Sequence, residues 1–134
     1  MAEKQQLDSF LASPLIGVVG ASTNRDKFGN KVLRCYQQHG YQVIPVHPAQ
    51  AEIEGLAAVI SVAELPAAVA SISVITPPQI TEQVVRQAVA KGIKNIWLQP
   101  GAQSAEAMRY CAEQGVNLIA DGTCVLVILG CNGH

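Results

Sequence analysis

Leu15-Ile-Gly-Val-Val-Gly-Ala-Ser22, followed by Thr23-Asn-Arg-Asp-Lys-Phe-Gly29, is the stretch on which the fold turns. The apolar run from Leu15 to Val19 reads as a buried strand. It ends in a small-residue turn, Gly20-Ala21-Ser22, and a helical pattern starts near Phe28. The first N–H groups of a helix have no partner inside it, and the helix dipole favours an anion at that end. Strand, small turn and helix start in succession therefore form a resting place for a phosphate. Arg25 and Lys27 bring positive charge beside it. The stretch argues for a phosphate-bearing ligand, with a nucleotide as the first expectation.

Working outward, short apolar runs alternate with helical patterns along the chain. Glu3 to Leu11 places Leu7, Phe10 and Leu11 on one helical face, and Ser13-Pro14 breaks it. The helix from Phe28 to Gln38 turns Val32, Leu33 and Tyr36 inward, and Gly40 behind His39 supplies the left-handed residue a helix end wants. Further strands are expected at Tyr41–Val46, Ser71–Thr76, Asn95–Leu98 and Val116–Ala120, with a short one near Ala57–Ile60. Ser61-Val-Ala-Glu64 has the form of a capping box opening a short helix. Ile80 to Ala90 is helical, with Ile80, Val84 and Ala88 on one face, and Ser104 caps a helix to about Gln114. Cys124–Leu129 is apolar, and its period does not separate strand from helix. Near-continuous apolar strands between helices mean a parallel sheet covered on both faces. The expectation is a three-layer, doubly wound α/β domain occupying residues 1–134.

Composition narrows the function. The chain has 134 residues, the length of one domain, and its formal charge of −1 gives no global pull toward nucleic acid or anionic membrane. No apolar run reaches the roughly 18 residues a membrane-spanning helix needs, and the first residues lack the apolar core of a signal peptide. A cytoplasmic protein is expected. The cysteines are Cys35, Cys111, Cys124 and Cys131, none in a C-x-x-C pair, so no disulfide framework is expected. Cys131-Asn-Gly-His134, with Cys124 nearby, has zinc-type spacing, but buried apolar thiols explain these residues more simply, and no metal is assigned.

In such folds the ligand lies outside the carboxyl ends of the strands, at the point where strand order reverses. That crevice should lie between the loops after the first strand and after Ser71–Thr76. Its rim would comprise Gly20 to Gly29, Pro45-Val46-His47-Pro48, Thr76-Pro77-Pro78 and Gln99-Pro100-Gly101. Prolines remove donors and stiffen loops. Each alone is a strand terminator, but three such loops on one edge outline a rigid, mostly apolar groove. The dinucleotide fingerprint G-x-G-x-x-G lacks its middle glycine, and His47-Pro48 stands where an acid would hold the ribose of NAD. The G-x-x-x-x-G-K-[ST] phosphate loop is absent as well.

Gly17-Val-Val-Gly-Ala-Ser22, Pro45-Val-His-Pro48, Thr76-Pro-Pro78 and Trp97-Leu-Gln-Pro-Gly101, in this order and spacing, resemble the CoA-binding domain family. This is the small Rossmann-like module that also forms the N-terminal part of the succinyl-CoA synthetase alpha subunit. The resemblance spans about Leu11 to Val127. It implies that Gly20, Ala21, Ser22 and Thr23, with Arg25, Lys27 and Gly29, hold the phosphates of coenzyme A. It implies that Pro45, Val46, His47 and Pro48 border the adenosine. Thr76, Pro77 and Pro78 would line the pantetheine path, and Gln99 and Gly101 would lie near the thiol end. Cys124 matches a cysteine often found after the family's last strand.

No catalytic set accompanies these residues. His39 reads as a helix-end residue, His47 as either a strand end or a ligand contact, and His134 as part of the terminus. Asp26 needs Arg25 or Lys27 beside it, and Asp121 reads as a cap. The related ligases carry their phosphorylated histidine in a second domain, and none is expected within these 134 residues. The expected function is binding of coenzyme A or an acyl-CoA by a stand-alone module that is not itself an enzyme. The alternative is an NAD(P)-binding oxidoreductase or redox-sensing domain. A third reading, a mixed disulfide between Cys124 and CoA, is weaker than a buried thiol because no cation stands nearby in sequence. The expected ligand is a small molecule, with no nucleic acid or membrane; a homo-oligomer or a protein partner is left open, and the apolar tail Cys124–Leu129 is read as either completing the sheet or forming a dimer contact.

Overall fold

The structure is a computed structural model and describes residues 3–131. Helix α1 covers Lys4–Leu11, strand β1 Leu15–Val19, helix α2 Phe28–Gln38 and strand β2 Gln42–Val46. A small hairpin follows, β3 Glu52–Ile53 and β4 Leu56–Ala57. Then come β5 Ser71–Val74, α3 Pro78–Lys91, β6 Asn95–Leu98, α4 Ala105–Glu113, β7 Asn117–Ile119 and α5 Val125–Leu129. The five-stranded sheet has the order β2-β1-β5-β6-β7, and every pair in it is parallel. Order reverses between β1 and β5, the doubly wound pattern expected from the sequence.

Period-two alternation sends the strand residues to two separate cores. Ile16 and Val18 of β1 and Trp97 of β6 face α1, α2 and α5. Ile72, Val74, Ile96 and Leu98 face α3 and α4. Phe10, fully buried, carries α1 into the first core, where its ring meets Trp97 edge-on at 5.2 Å and Tyr36 at 6.5 Å. Each such pair adds roughly 0.5–1.5 kcal/mol beyond its buried area.

Several local expectations change in three dimensions. The strand near Ala57–Ile60 is reduced to the two residues of β4 and a single parallel bridge from Val59 to Val46. Ser61 starts only a 3₁₀ turn over Val62–Glu64 and makes no side-chain cap. Ile80 turns out of the α3 core and is 42% exposed, while Val84, Val85 and Ala88 are buried. The Cys124–Leu129 stretch is helix α5, stopped by Gly130 in the left-handed conformation. Cys35 and Cys131 form a disulfide between α2 and the residue after that cap. The expectation of free thiols fails here because residues 96 apart in sequence are brought to a Cα–Cα distance of 5.9 Å. Cys124 is the N-cap of α5, and the C-x-x-H spacing from Cys131 ends on His134, which lies outside the described residues. Among the described residues, no helix is long and apolar enough to cross a membrane.

Candidate functional site

The turn after β1 is tight because its backbone touches its neighbours. Gly20 has φ +94°, and a Cβ there would stand 2.0 Å from the carbonyl oxygen of Ile75. A Cβ at Gly29, in the first turn of α2, would stand 2.1 Å from the carbonyl oxygen of Gly20. Both positions need glycine for close backbone approach. Together they seat the start of α2 against the end of β1, the contact for which a dinucleotide fold uses its spaced glycines. The N-cap of α2 is Lys27, which offers no side-chain acceptor, so its amino group and the helix start both present positive charge.

A polar network locks the loop from Ser22 to Lys27. Asn30, fully buried, donates through Nδ2 to the carbonyl of Ser22 at 2.8 Å and to Glu54 Oε2 at 3.0 Å. Arg34, one turn later and 9% exposed, donates to Asn30 Oδ1 at 2.6 Å and to the carbonyl of Arg25 at 3.1 Å. Glu54 also meets Arg25 Nε at 3.4 Å. It occupies the hairpin turn with φ 51°, beside Gly55 at φ +77°, the two-residue turn with both φ values positive that joins tight hairpins. Asn30, Arg34 and Glu54 escaped the sequence reading. The i, i+4 spacing of Asn30 and Arg34 was the available signal, whereas Glu54 reaches them only through the fold. Asp26 receives no help from Arg25, which pairs with Glu54 instead.

Two cavities, about 310 and 540 Å³, adjoin at the β1/β5 switch point and share Gly20, Pro48, Thr76 and Ile80. The larger is bordered by Gly20, Ala21, Ser22, Lys27, Phe28 and Gly29 on one side and by His47, Pro48, Thr76 and Pro77 on the other. The smaller continues past Val46 between Ile60 and Val62 and the α3 residues Ile80, Gln83, Val84 and Gln87. Ile60 and Ile80, 67% and 42% exposed, form its lips. One end of the crevice therefore carries the start of α2 and a lysine, while the other is an apolar slot with two amides.

The sequence-derived residues divide accordingly. Gly20, Ala21, Ser22, Lys27, Gly29, Val46, His47, Pro48, Thr76 and Pro77 line the crevice. Thr23 and Arg25 stand on the exposed loop beside it. Pro45 is buried within β2, tolerated there because β2 is an outermost strand. Pro78 is the exposed first residue of α3. Gln99 is a correction: it is fully buried and faces away from solvent. Its amide donates to Ser73 Oγ at 3.0 Å and accepts from the N–H of Val125 at 3.0 Å, so it clamps the start of α5. Gly101 occupies an exposed turn with φ +96°, off the crevice walls.

His47 Nδ1 accepts from the N–H groups of Ala49 and Gln50 at 2.9 and 3.0 Å. That fixes the tautomer, leaving Nε2–H as the donor. Thr76 Oγ1 pairs with Thr81 Oγ1 at 2.7 Å, so Thr81 ties α3 to the loop before it. Asp121 accepts from the Thr123 hydroxyl and N–H, which hold its carboxyl below the ordinary carboxylate range.

These features define a doubly wound α/β domain with a crevice at the β1/β5 switch point. The CoA binding domain family matches residues 15–130, and the chain belongs to that family. An uncharacterized protein of Bacillus subtilis, YneT, is 30% identical over 109 residues, which is 81% of either chain. The alpha subunit of an ADP-forming acetate–CoA ligase II from Pyrococcus furiosus is 31% identical over 91 residues. That match takes in 67% of this chain but 20% of the ligase subunit. A conserved hypothetical protein from Pyrococcus furiosus, of known structure, superposes with a TM-score of 0.81 at 42% identity, covering 84% of this chain and 97% of its own.

Proposed function

We propose that this chain binds coenzyme A or an acyl-CoA in the β1/β5 crevice as a module without a catalytic centre of its own, holding the cofactor for a partner. The observation that carries this reading is the two-part crevice. A cationic end, with Lys27 and the start of α2 beside the Gly20–Ser22 turn, runs into a slot walled by Ile60, Val62, Ile80 and Val84. An elongated ligand with a diphosphate at one end and a flexible, partly apolar arm at the other suits both halves at once. Gln83 and Gln87 on the slot wall offer the amide pairing that an arm built of peptide-like units needs. Membership of the CoA-binding family, and a relative named for a ligase reaction that uses CoA, support the same ligand. Of the crevice-lining residues, Lys27 and His47 are the ionisable ones, and the two turn N–H groups commit His47 to a fixed tautomer. They form no nucleophile–base pair, which supports binding rather than catalysis.

Calorimetry with CoA, dephospho-CoA, NAD and NADPH tests the proposal. CoA binding that dephospho-CoA reproduces only weakly, with the nicotinamide dinucleotides inert, is the expected result. Preference for NADPH would replace the proposal with a nicotinamide domain. Lys27→Ala should weaken CoA binding by about 1 kcal/mol, roughly fivefold, and the loss should shrink as salt rises because the charge is exposed.

A further inference from the structure

A second cluster of ligand-type side chains stands at the end of α2 remote from the crevice. Cys35 lies in the last turn of α2 and His39 is the C-cap four residues on, so both stand at the same end of the helix. Cys131 reaches them from the far end of the chain. The left-handed cap at Gly130 turns the backbone, and a hydrogen bond from the N–H of Cys131 to the carbonyl of Leu126 at 2.8 Å holds that residue in place. The Cys35 and Cys131 sulfurs and the His39 ring nitrogen all lie within 4.8 Å of one another. His39 Nδ1 is 3.8 Å from Cys131 Sγ and 3.0 Å from the carbonyl oxygen of Cys35. Cys35 is 1% exposed, Cys131 is half-buried and His39 is open to solvent, so the cluster is rooted in the core and accessible from one side.

We propose that Cys35, Cys131 and His39 form a soft-metal site of the zinc type when the two cysteines are thiols, and that the disulfide is its oxidised, metal-free form. In the oxidised form His39 Nδ1–H donates to the carbonyl of Cys35 at 3.0 Å; in the metal form the ring proton moves to Nε2, and the freed Nδ1 lone pair joins the two sulfurs as a zinc-type donor set. Metal–sulfur bonds of about 2.3 Å and metal–nitrogen bonds of about 2.0–2.1 Å, placed tetrahedrally, separate ligand atoms by about 3.5–3.8 Å. The 3.8 Å between His39 Nδ1 and Cys131 Sγ is close to the roughly 3.6 Å that a sulfur and a nitrogen on one tetrahedral ion would have. Once reduced, the two sulfurs move apart to van der Waals contact, roughly 3.5–4 Å, which is the remaining distance the ion requires. Water completes the coordination on the exposed side.

The chemistry balances in both directions. Binding takes one divalent ion, releases the two thiol protons and leaves the imidazole neutral. Oxidation by a small-molecule disulfide proceeds by thiolate attack through a mixed disulfide. The Cys35–Cys131 bond forms, the small disulfide takes the two electrons and two solvent protons to become two thiols, and the ion leaves. Ion and disulfide thus exclude one another, and both fasten α5 to α2. This inference is independent of the reading of the crevice.

The test uses the full chain, stripped with a chelator and reduced with a phosphine, titrated with Zn²⁺ against a chromogenic chelator. Glutathione disulfide-treated protein is run in parallel. The expected result is one zinc per reduced chain and none per oxidised chain. Cys131→Ser and Cys35→Ser should each abolish binding, and Cys124→Ser should leave it unchanged. Losing only a hydrogen-bonding partner of a ligand costs roughly 10–100-fold in affinity, so His39→Ala should weaken binding by at least that. Circular dichroism checks each fold; should the buried Cys35→Ser fail to fold, Cys131→Ser at the half-buried position decides. No zinc on the reduced protein, equal zinc on the oxidised protein, or full binding by Cys131→Ser or His39→Ala would each overturn the assignment.

Discussion

Replacing Gly20 by alanine tests the geometry on which the crevice depends. Two costs add. The residue sits at φ +94°, where a Cβ costs roughly 1–2 kcal/mol. The new methyl would also stand 2.0 Å from the Ile75 carbonyl oxygen and 2.7 Å from its carbon. Neither atom can swing away, because the N–H of Ile75 is hydrogen-bonded to the carbonyl of Val19 at 2.7 Å and the β1/β5 ladder must shift with it. Overpacking of this kind costs about 1–3 kcal/mol, so the total comes to about 2–5 kcal/mol. Gly92→Ala supplies the control: it has φ +88°, and its Cβ would meet nothing within 4 Å. It carries the backbone cost alone, about 1–2 kcal/mol. Any gain from a stiffer unfolded chain is common to both variants and cancels in the difference. Urea unfolding followed by circular dichroism, with linear extrapolation, measures both. At about 4 °C per kcal/mol for a domain of this size, melting temperatures should fall by roughly 8–20 °C for Gly20→Ala and 4–8 °C for Gly92→Ala. Equal losses in the two variants would refute the close approach of the turn to β5.

Gln99→Leu should destabilise the fold by roughly 1–3 kcal/mol in the same assay, because the buried Val125 N–H loses its partner while Ser73 Oγ keeps the Tyr36 hydroxyl; no measurable loss would mean that water replaces the amide. Burial pushes the Cys111 thiol up to about 11, while Cys124 is half-buried, so iodoacetamide at neutral pH should label Cys124 in the native protein and reach Cys111 only after unfolding, as read by peptide mass spectrometry. Asp121 has a folded-state pKa depressed by its hydrogen bonds from Thr123. Its contribution is therefore present above the unfolded value of about 3.9 and is lost as pH falls below it, so the stability gap between wild type and Asp121→Asn should be visible at pH 7 and close under acid.

The outline of the fold lay open in the sequence because it depends on local, periodic information. The inward face of α2, with Val32, Leu33 and Tyr36, follows from a 3.6-residue period. Its end at Gly40 and that of α3 at Gly92 follow from residues that tolerate positive φ. The apolar strands between helices led to a parallel sheet, and the ordering rule for such sheets led to the β1/β5 crevice. Most of the loop residues that line it were legible for the same reason, since loops at the carboxyl edge follow their strands directly.

Tertiary structure decided what depends on contacts between distant residues. Gln99 reads like a rim residue because it follows a strand, yet the fold seals it beneath α5, where its two amide ends meet groups 26 residues away on either side. Arg25 reads as a free cation, but a two-residue hairpin turn carries Glu54 to it. Ile60 and Ile80 look like core residues by hydropathy, and only the packing of Val59 on the edge of β2 and of α3 on the sheet turns them into the lips of the slot. Cys35 and Cys131 are the extreme case. Spacing along the chain carries no information about a pair 96 residues apart, so only the docking of α5 on α2 brings them and His39 together.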